Sequence, residues 1–417
     1  MRRHTYRRCA IAAGAIVLAA AALGSLTLSN GVAATTKAGA AAASSCTSNT
    51  GDIHIGVSGP QSGLYAIVGD SQQGGLQVAI QQLGSAGIHG RKVVMDSKDD
   101  QFSPTTAVNN FVGFVNQSGI CAMVGPTDTS STQAVSQADR ALPGGPIPQI
   151  GVLGSDDSIA PHGPGTKPNN FMFGVLTGNW PELTILTNYT LTHFSGEKIG
   201  IIRDPTAYGK NQADFLTRLL AQKHLKPVIN EPLPVNTPDP SPQVNKALSA
   251  GTQVLFALTS FDDVARIART LRAQNSKVQI MCTDQCAVIP DFIKNAGPAA
   301  NGTISTKIAG TALPPTPALR AFSAKYDKLT GYKAFPPPDW ALGTYDAANI
   351  LFSIWKRVGT DPAKVFKAWE QVKHYRGLSC SDISFSPLQH NGLGDQSCYR
   401  LMIIKNQKAV LMPGQKK

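Results

Sequence analysis

The residues best placed to do chemistry lie at 123–133, MVGPTDTSSTQ, where Thr127, Thr129, Ser130, Ser131 and Thr132 follow a Gly125-Pro126 turn. Apolar residues run up to the turn. Beyond it Ala134, Val135, Ala138 and Leu142 recur at helical spacing, so the stretch reads as a strand opening into a helix. A Ser/Thr-rich helix start offers free N–H groups, short hydroxyl donors and the positive end of a dipole. That is an anion site needing no Lys or Arg, although the same residues taken alone also describe an ordinary helix cap. Other polar groups recur at strand ends: residues 59–63, Gly154-Ser155, Thr283-Asp284, and Tyr208 after IIRDPTA. Open α/β sheets bind ligands outside the carboxyl ends of their strands. Hydroxyl and N–H donors, a carboxylate and aromatic walls together form the inventory for a zwitterion such as an amino acid.

Motifs for other chemistry are missing. There is no Gly-x-Ser-x-Gly, phosphate loop, His-Glu-x-x-His or Gly-x-Gly-x-x-Gly in the chain. The histidines are single, and the paired acids Asp99-Asp100 and Asp156-Asp157 are sequence neighbours, whose side chains point apart. No enzymatic role, cofactor or metal is expected.

The elements that would position these groups alternate. Residues 53–59 form a strand, 59–70 a Gly-rich loop, and Leu76, Ala79, Ile80 and Leu83 a helical stripe. Strands at 92–96, 121–124 and 148–153 follow, with a helix carrying Val108, Phe111, Val112 and Val115 between the first two. A second block repeats the pattern: a helix over 183–194, strands at 198–204, 254–258, 278–282 and 302–308, and helical stripes at 215–220 and 264–271. Residues 233–242 are Pro-rich and read as a loop, as do residues 335–340. Helices are expected at 319–329 and 345–358, and 398–412 reads as a hairpin turning through Asn406-Gln407. Repeated βα units imply parallel sheets flanked by helices.

The chain has 417 residues, too many for one ordinary domain, with 42% hydrophobic and 15% charged residues. Arg2, Arg3, Arg7 and Arg8 precede an uncharged Ala-rich run from residue 9 to 28 and small residues to 34, the pattern of an export signal. An uncleaved anchor remains open on the length of that run. Residues 35–50 read as a flexible tether. Of 38 basic side chains four leave with residues 1–34, so 34 remain against 26 acidic, a net of +8. These charges are scattered, which argues against a nucleic-acid groove. Losing Cys9 leaves Cys46, Cys121, Cys282, Cys286, Cys380 and Cys398. An even count in an exported chain points to disulfides. Closeness in sequence suggests Cys282–Cys286 and Cys380–Cys398, leaving Cys46–Cys121.

From Ile53 to about Met412 the chain resembles the leucine/isoleucine/valine-binding protein family, the type I periplasmic binding proteins of ABC importers. The resemblance is carried by IGVSGPQSGLYAIVGDSQQGGLQVAI, KDDQFSPTTAV, VGPTDTSSTQAVS, IIRDPTAYGKNQ and ALGTYDAANIL, in that order. It implies an α/β fold of two Rossmann-like lobes with parallel-core sheets, joined by three crossover strands and closing on a ligand between them. The lobes are expected at 51–173 plus 306–386 and at 174–305 plus 387–417. By position, Thr129 and Ser155 would hold a carboxylate, the Leu153 carbonyl and Asp284 an ammonium, and Tyr208 and Trp340 would be aromatic walls. Gly154 adjoins the carboxylate site. Thr259 stands where amino-acid binders often carry Tyr, and Val68 where an aromatic is common, so the side-chain pocket departs from the family pattern. Asp284 has a second reading as the N-cap of a following helix. The expected partners are a small amino acid, or related carboxylate or amide, and an ABC permease in the membrane. The receptor is expected to be monomeric and held in the bacterial periplasm or cell envelope. A ligand sensor of the same fold, or an exported hydrolase, remains open.

Overall fold

The computed structural model describes residue 46, residues 50–153, residue 159, residues 166–288 and residues 290–415. The signal, most of the tether, Gly154, Ser155 and Asp156-Asp157 lie outside the described residues. Among the described residues, twelve strands form two sheets. In the first, β1 (Ile53–Gly59), β2 (Val93–Asp99), β3 (Ala122–Val124), β4 (Gln149–Leu153) and β5 (Met172–Thr177) are ordered β2-β1-β3-β4-β5, every pairing parallel. The second comprises β6 (Ile199–Arg203), β7 (Ile229–Pro232), β8 (Val254–Leu258), β9 (Gln279–Cys282), β10 (Ile304–Ile308), β11 (Tyr399–Lys405) and β12 (Lys408–Leu411), ordered β12-β11-β10-β9-β8-β6-β7. Its parallel core ends in the expected antiparallel hairpin, which turns at Asn406 and Gln407, both with positive φ.

The helices are α1 (Ala66–Leu83), α2 (Pro104–Gln117), α3 (Thr129–Arg140), α4 (Asn179–His193), α5 (Ala207–Ala221), α6 (Ser241–Ser249), α7 (Phe261–Ala273), the short α8 (Gln285–Val288), α9 (Pro290–Ala296) and α10 (Ala309–Ala312), then α11 (Pro317–Thr330), α12 (Asp339–Val358) and α13 (Pro362–Glu370). The chain passes between the sheets after β5, after β10 and before β11, and α11–α13 pack on the first lobe. Residues 173 and 305, where the sequence reading divides the lobes, fall inside β5 and β10. His390 and Gly392 hydrogen-bond to Gly174 at the edge of the first sheet, so residues 390–392 sit with the first lobe.

Three local expectations are corrected. The stretch read as a Gly-rich loop ends in the first turns of α1, which begins at Ala66. Gly69 and Gly75 are there because a Cβ would stand 1.9 Å from the Pro60 carbonyl oxygen and 2.3 Å from that of Ala341. The Pro-rich loop yields its last residues to α6, where Pro242 occupies the first turn, a position that lacks a hydrogen-bond demand. The loop expected over 335–340 gives Asp339 and Trp340 to α12. All three expected disulfides are present, Cys46–Cys121, Cys282–Cys286 and Cys380–Cys398.

Candidate functional site

A cavity of about 250 Å³ lies where the two lobes face each other. The first lobe lines it with Tyr65, Val68, Phe102, Pro104 and residues 127–130; the second with Asp204, Thr206, Tyr208, Val235, Ser260 and Gln285. Most of these follow the carboxyl ends of β1, β2, β3, β6, β8 and β9, as a doubly wound sheet requires.

The first wall is the start of α3. Gly125 makes the preceding turn with φ 88°, where a Cβ would meet the Ser58 carbonyl oxygen at 2.2 Å. Asp128 caps the helix, its Oδ1 accepting the Ser131 N–H at 2.9 Å. The Oδ2 of Asp128, the Oγ1 of Thr127 and the Oγ of Ser131 are buried without a hydrogen-bond partner among the described residues. Burial raises the Asp128 carboxyl above the usual range. Thr129 lines the cavity and is buried, whereas Thr132 turns inward and donates to the Asp128 carbonyl oxygen at 2.7 Å.

The aromatic wall depends on the paired acids. Gln101 and Phe102 both have positive φ. Their N–H groups are fixed by Asp99 Oδ1 at 2.8 Å and Asp100 Oδ1 at 3.0 Å, which stabilises a conformation that costs side chains energy. The two acids therefore point apart, as expected, and place Phe102 in a stack on Tyr65, with ring centroids 4.2 Å apart. Tyr65 also meets Phe261 of the other lobe edge-on at 6.3 Å, and Ser260 lies beside its phenol. The lobes thus touch across the cavity.

In the second lobe, Asp204 follows β6. Its Oδ1 accepts the Thr206 N–H at 2.8 Å, the Gly209 N–H at 3.3 Å and the Thr206 hydroxyl; none of these bonds reaches Oδ2. Burial raises this carboxyl too. Tyr208 Oη lies 3.3 Å from Thr283 Oγ1.

Of the residues expected from sequence, Thr129, Tyr208 and Val68 line the cavity. Asp284 does not. It is 2% exposed, and its Oδ2 accepts from Thr177 Oγ1 at 2.8 Å and Trp340 Nε1 at 3.3 Å, while Gln285 Nε2 lies 3.4 Å from Oδ1. Trp340 is consumed in the same contact, and Thr259 is buried behind Ser260, 3.4 Å from Asp263. Leu153 ends β4 beside Thr177. The physical reason for Asp284 is local. The Cys282–Cys286 bridge closes a tight loop after β9, which aims Asp284 at β5 and α12 and leaves Gln285 on the cavity. Sequence reasoning missed Tyr65, Phe102, Asp128, Asp204, Ser260 and Gln285 as lining residues, although Asp128 and Asp204 are both acids between a strand and a helix.

Residues 52–409 match the family model described as periplasmic binding protein. The chain is 26% identical over 342 residues to Leu/Ile/Val-binding protein homolog 1 of Brucella suis biovar 1, covering 80% of this chain and 86% of that protein. It is similar to the periplasmic binding protein type 1 of Bordetella pertussis Tohama I, with a TM-score of 0.78, 25% identity and coverage of 87% of this chain and 100% of that one. The branched-chain amino acid transporter substrate-binding protein LivJ of Streptococcus pneumoniae, solved with isoleucine, shares the fold with a TM-score of 0.70 at 19% identity, covering 87% of this chain and 99% of its own.

Proposed function

Because the chain belongs to the periplasmic binding protein family, and resembles its Leu/Ile/Val-binding members, we propose that it is the extracytoplasmic receptor of an ABC importer. It captures a small amino-acid-like ligand between two lobes that close on it, and a membrane permease reads the closed form. The carrying observation is the cavity itself. It is built from both lobes, is the size of a small metabolite, and joins aromatic rings to hydroxyls and carboxylates. In this reading Thr127, Thr129 and Tyr208 contact the ligand, Asp204 takes its amine, and Asp284 ties the lobes together behind it. Ser155 and Gly154, which lie outside the described residues, keep the carboxylate role that family position implies, and the Leu153 carbonyl its role toward the amine. Ligand binding shifts an open–closed equilibrium by its differential affinity for the closed form.

A thermal-shift screen tests this. The panel holds amino acids, short amides, amines and carboxylates. A ligand at a hundred times its Kd adds about 2.7 kcal/mol, roughly 5–10 °C for lobes of this size. The ligand should be recovered unchanged after incubation. Conversion to product would replace the receptor by an enzyme, and a silent panel would remove the small-ligand reading.

A further inference from the structure

The cavity is unbalanced in charge. Two carboxylates line it, Asp128 from the first lobe and Asp204 from the second, and among the described residues the lining includes no Lys, Arg or His. Two cations among the described residues, Arg203 and Arg266, are committed elsewhere. Arg203 donates to the Asp204 carbonyl oxygen at 3.1 Å and to Asn230 at 3.1 Å, not to the carboxylate. Arg266 is held by Asp262 and by Asp263, 2.7 Å from the latter. Behind the lining residues stand further acids, Asp263 near Asp204 and Asp100 near Asp128.

The α3 start is also a poorer anion site than its hydroxyls suggest. A helix N-terminus attracts anions through its free N–H groups and dipole. Here Asp128 already takes the Ser131 N–H and puts its own negative charge on that end. A ligand carboxylate placed there would face Asp128 Oδ2, which is buried without a partner. Thr127, 1% exposed and on the cavity wall, likewise has a hydroxyl oxygen without a partner among the described residues, so the wall is built to accept as well as donate. The rings of Tyr65, Phe102 and Tyr208 complete the surround, and aromatic faces attract cations.

We infer that the ligand of this cleft carries a net positive charge: it is a small organic ammonium ion whose cationic groups face Asp204 from one lobe and Asp128 from the other. This rests on the receptor reading and narrows its ligand. A neutral zwitterion leaves one of the two carboxylates unmatched, whereas a basic amino acid, a diamine or a quaternary ammonium compound leaves less negative charge buried.

Titration calorimetry on the purified protein tests the inference with lysine, arginine, putrescine and choline against leucine, isobutyrate and benzoate. At least one cation should bind tenfold or more tightly than every neutral or anionic compound, and which cation wins separates the three sources. Asp204→Asn keeps the Oδ1 that Thr206 and Gly209 require and changes only Oδ2. It should weaken cation binding roughly tenfold or more. Asp128→Asn, which retains a good cap, should do the same. Tighter binding of leucine or a carboxylate, or cation affinity unchanged in both variants, would overturn the inference and leave the receptor standing. No binding by any compound would overturn both.

Discussion

Asp284→Asn separates two roles that one acid could hold. The side chain is buried and accepts from Thr177 and Trp340, which belong to the first lobe. Burial, reinforced by nearby Asp339, pushes its carboxyl from 3.8 up to about 6 against those hydrogen bonds. Between these values the unfolded chain has lost its proton while the folded one keeps it. The contribution of Asp284 to wild-type stability is therefore largest at low pH and falls as pH rises from about 4 to 6. That separation is worth on the order of 3 kcal/mol. Asparagine keeps an oxygen for Thr177 and Trp340 but does not titrate, so its stability lacks this decline. Relative to wild type the variant should gain on the order of 3 kcal/mol between pH 4 and pH 7 in urea unfolding, while ligand affinity changes less than about threefold. A stability difference flat in pH, with affinity reduced about tenfold or more, would refute the reasoning and return Asp284 to the ligand.

The disulfides should differ by the chain they close. Loop-closure entropy gives about 4–5 kcal/mol for Cys46–Cys121 and about 2 kcal/mol for Cys282–Cys286. Paired Cys→Ser variants in urea unfolding should rank in that order, and the reverse order would contradict the entropic account. Gly75→Ala should destabilise by about 1–3 kcal/mol, because its Cβ would press on the Ala341 backbone where α1 crosses α12. Gly113→Ala, whose Cβ meets only the end of Lys98 at 3.0 Å, should stabilise by about 0.5–1 kcal/mol. Equal melting shifts for the two glycines would remove the steric argument.

The fold was legible where side-chain pattern and backbone demand coincide. Ile53, Ile55 and Val57 alternate along β1 and Val254–Leu258 is a short apolar run, both in parallel-sheet interiors, and α7 carries Val264, Ile267, Ala268 and Leu271 on one buried face. The pattern failed where a residue's usual meaning was overridden. β7, INEP, is half exposed at the sheet edge and ends on Pro232, so it shows no apolar run. α13, short and beginning at Pro362, was hidden after the long α12. Glycine inside α1 reads as a loop until the close approach of Pro60 and Ala341 is known, and that approach joins residues far apart in sequence.

The site was legible as a set of positions, and its chemistry depends on directions that sequence does not carry. Asp128, Asp204 and Asp284 share one signature, an acid between the end of a strand and the start of a helix. Local backbone N–H groups account for one oxygen of Asp128 and one of Asp204, and the second oxygen of each accepts no hydrogen bond among the described residues. Asp284 alone meets donors from distant chain, Thr177 at a separation of 107 residues and Trp340 at 56. Those two contacts turn the acid that family position assigns to an ammonium into a tie between lobes. They leave the cation-facing role to the two acids whose second oxygens are open, and a carboxylate can only serve a ligand with an oxygen that the fold has not already used.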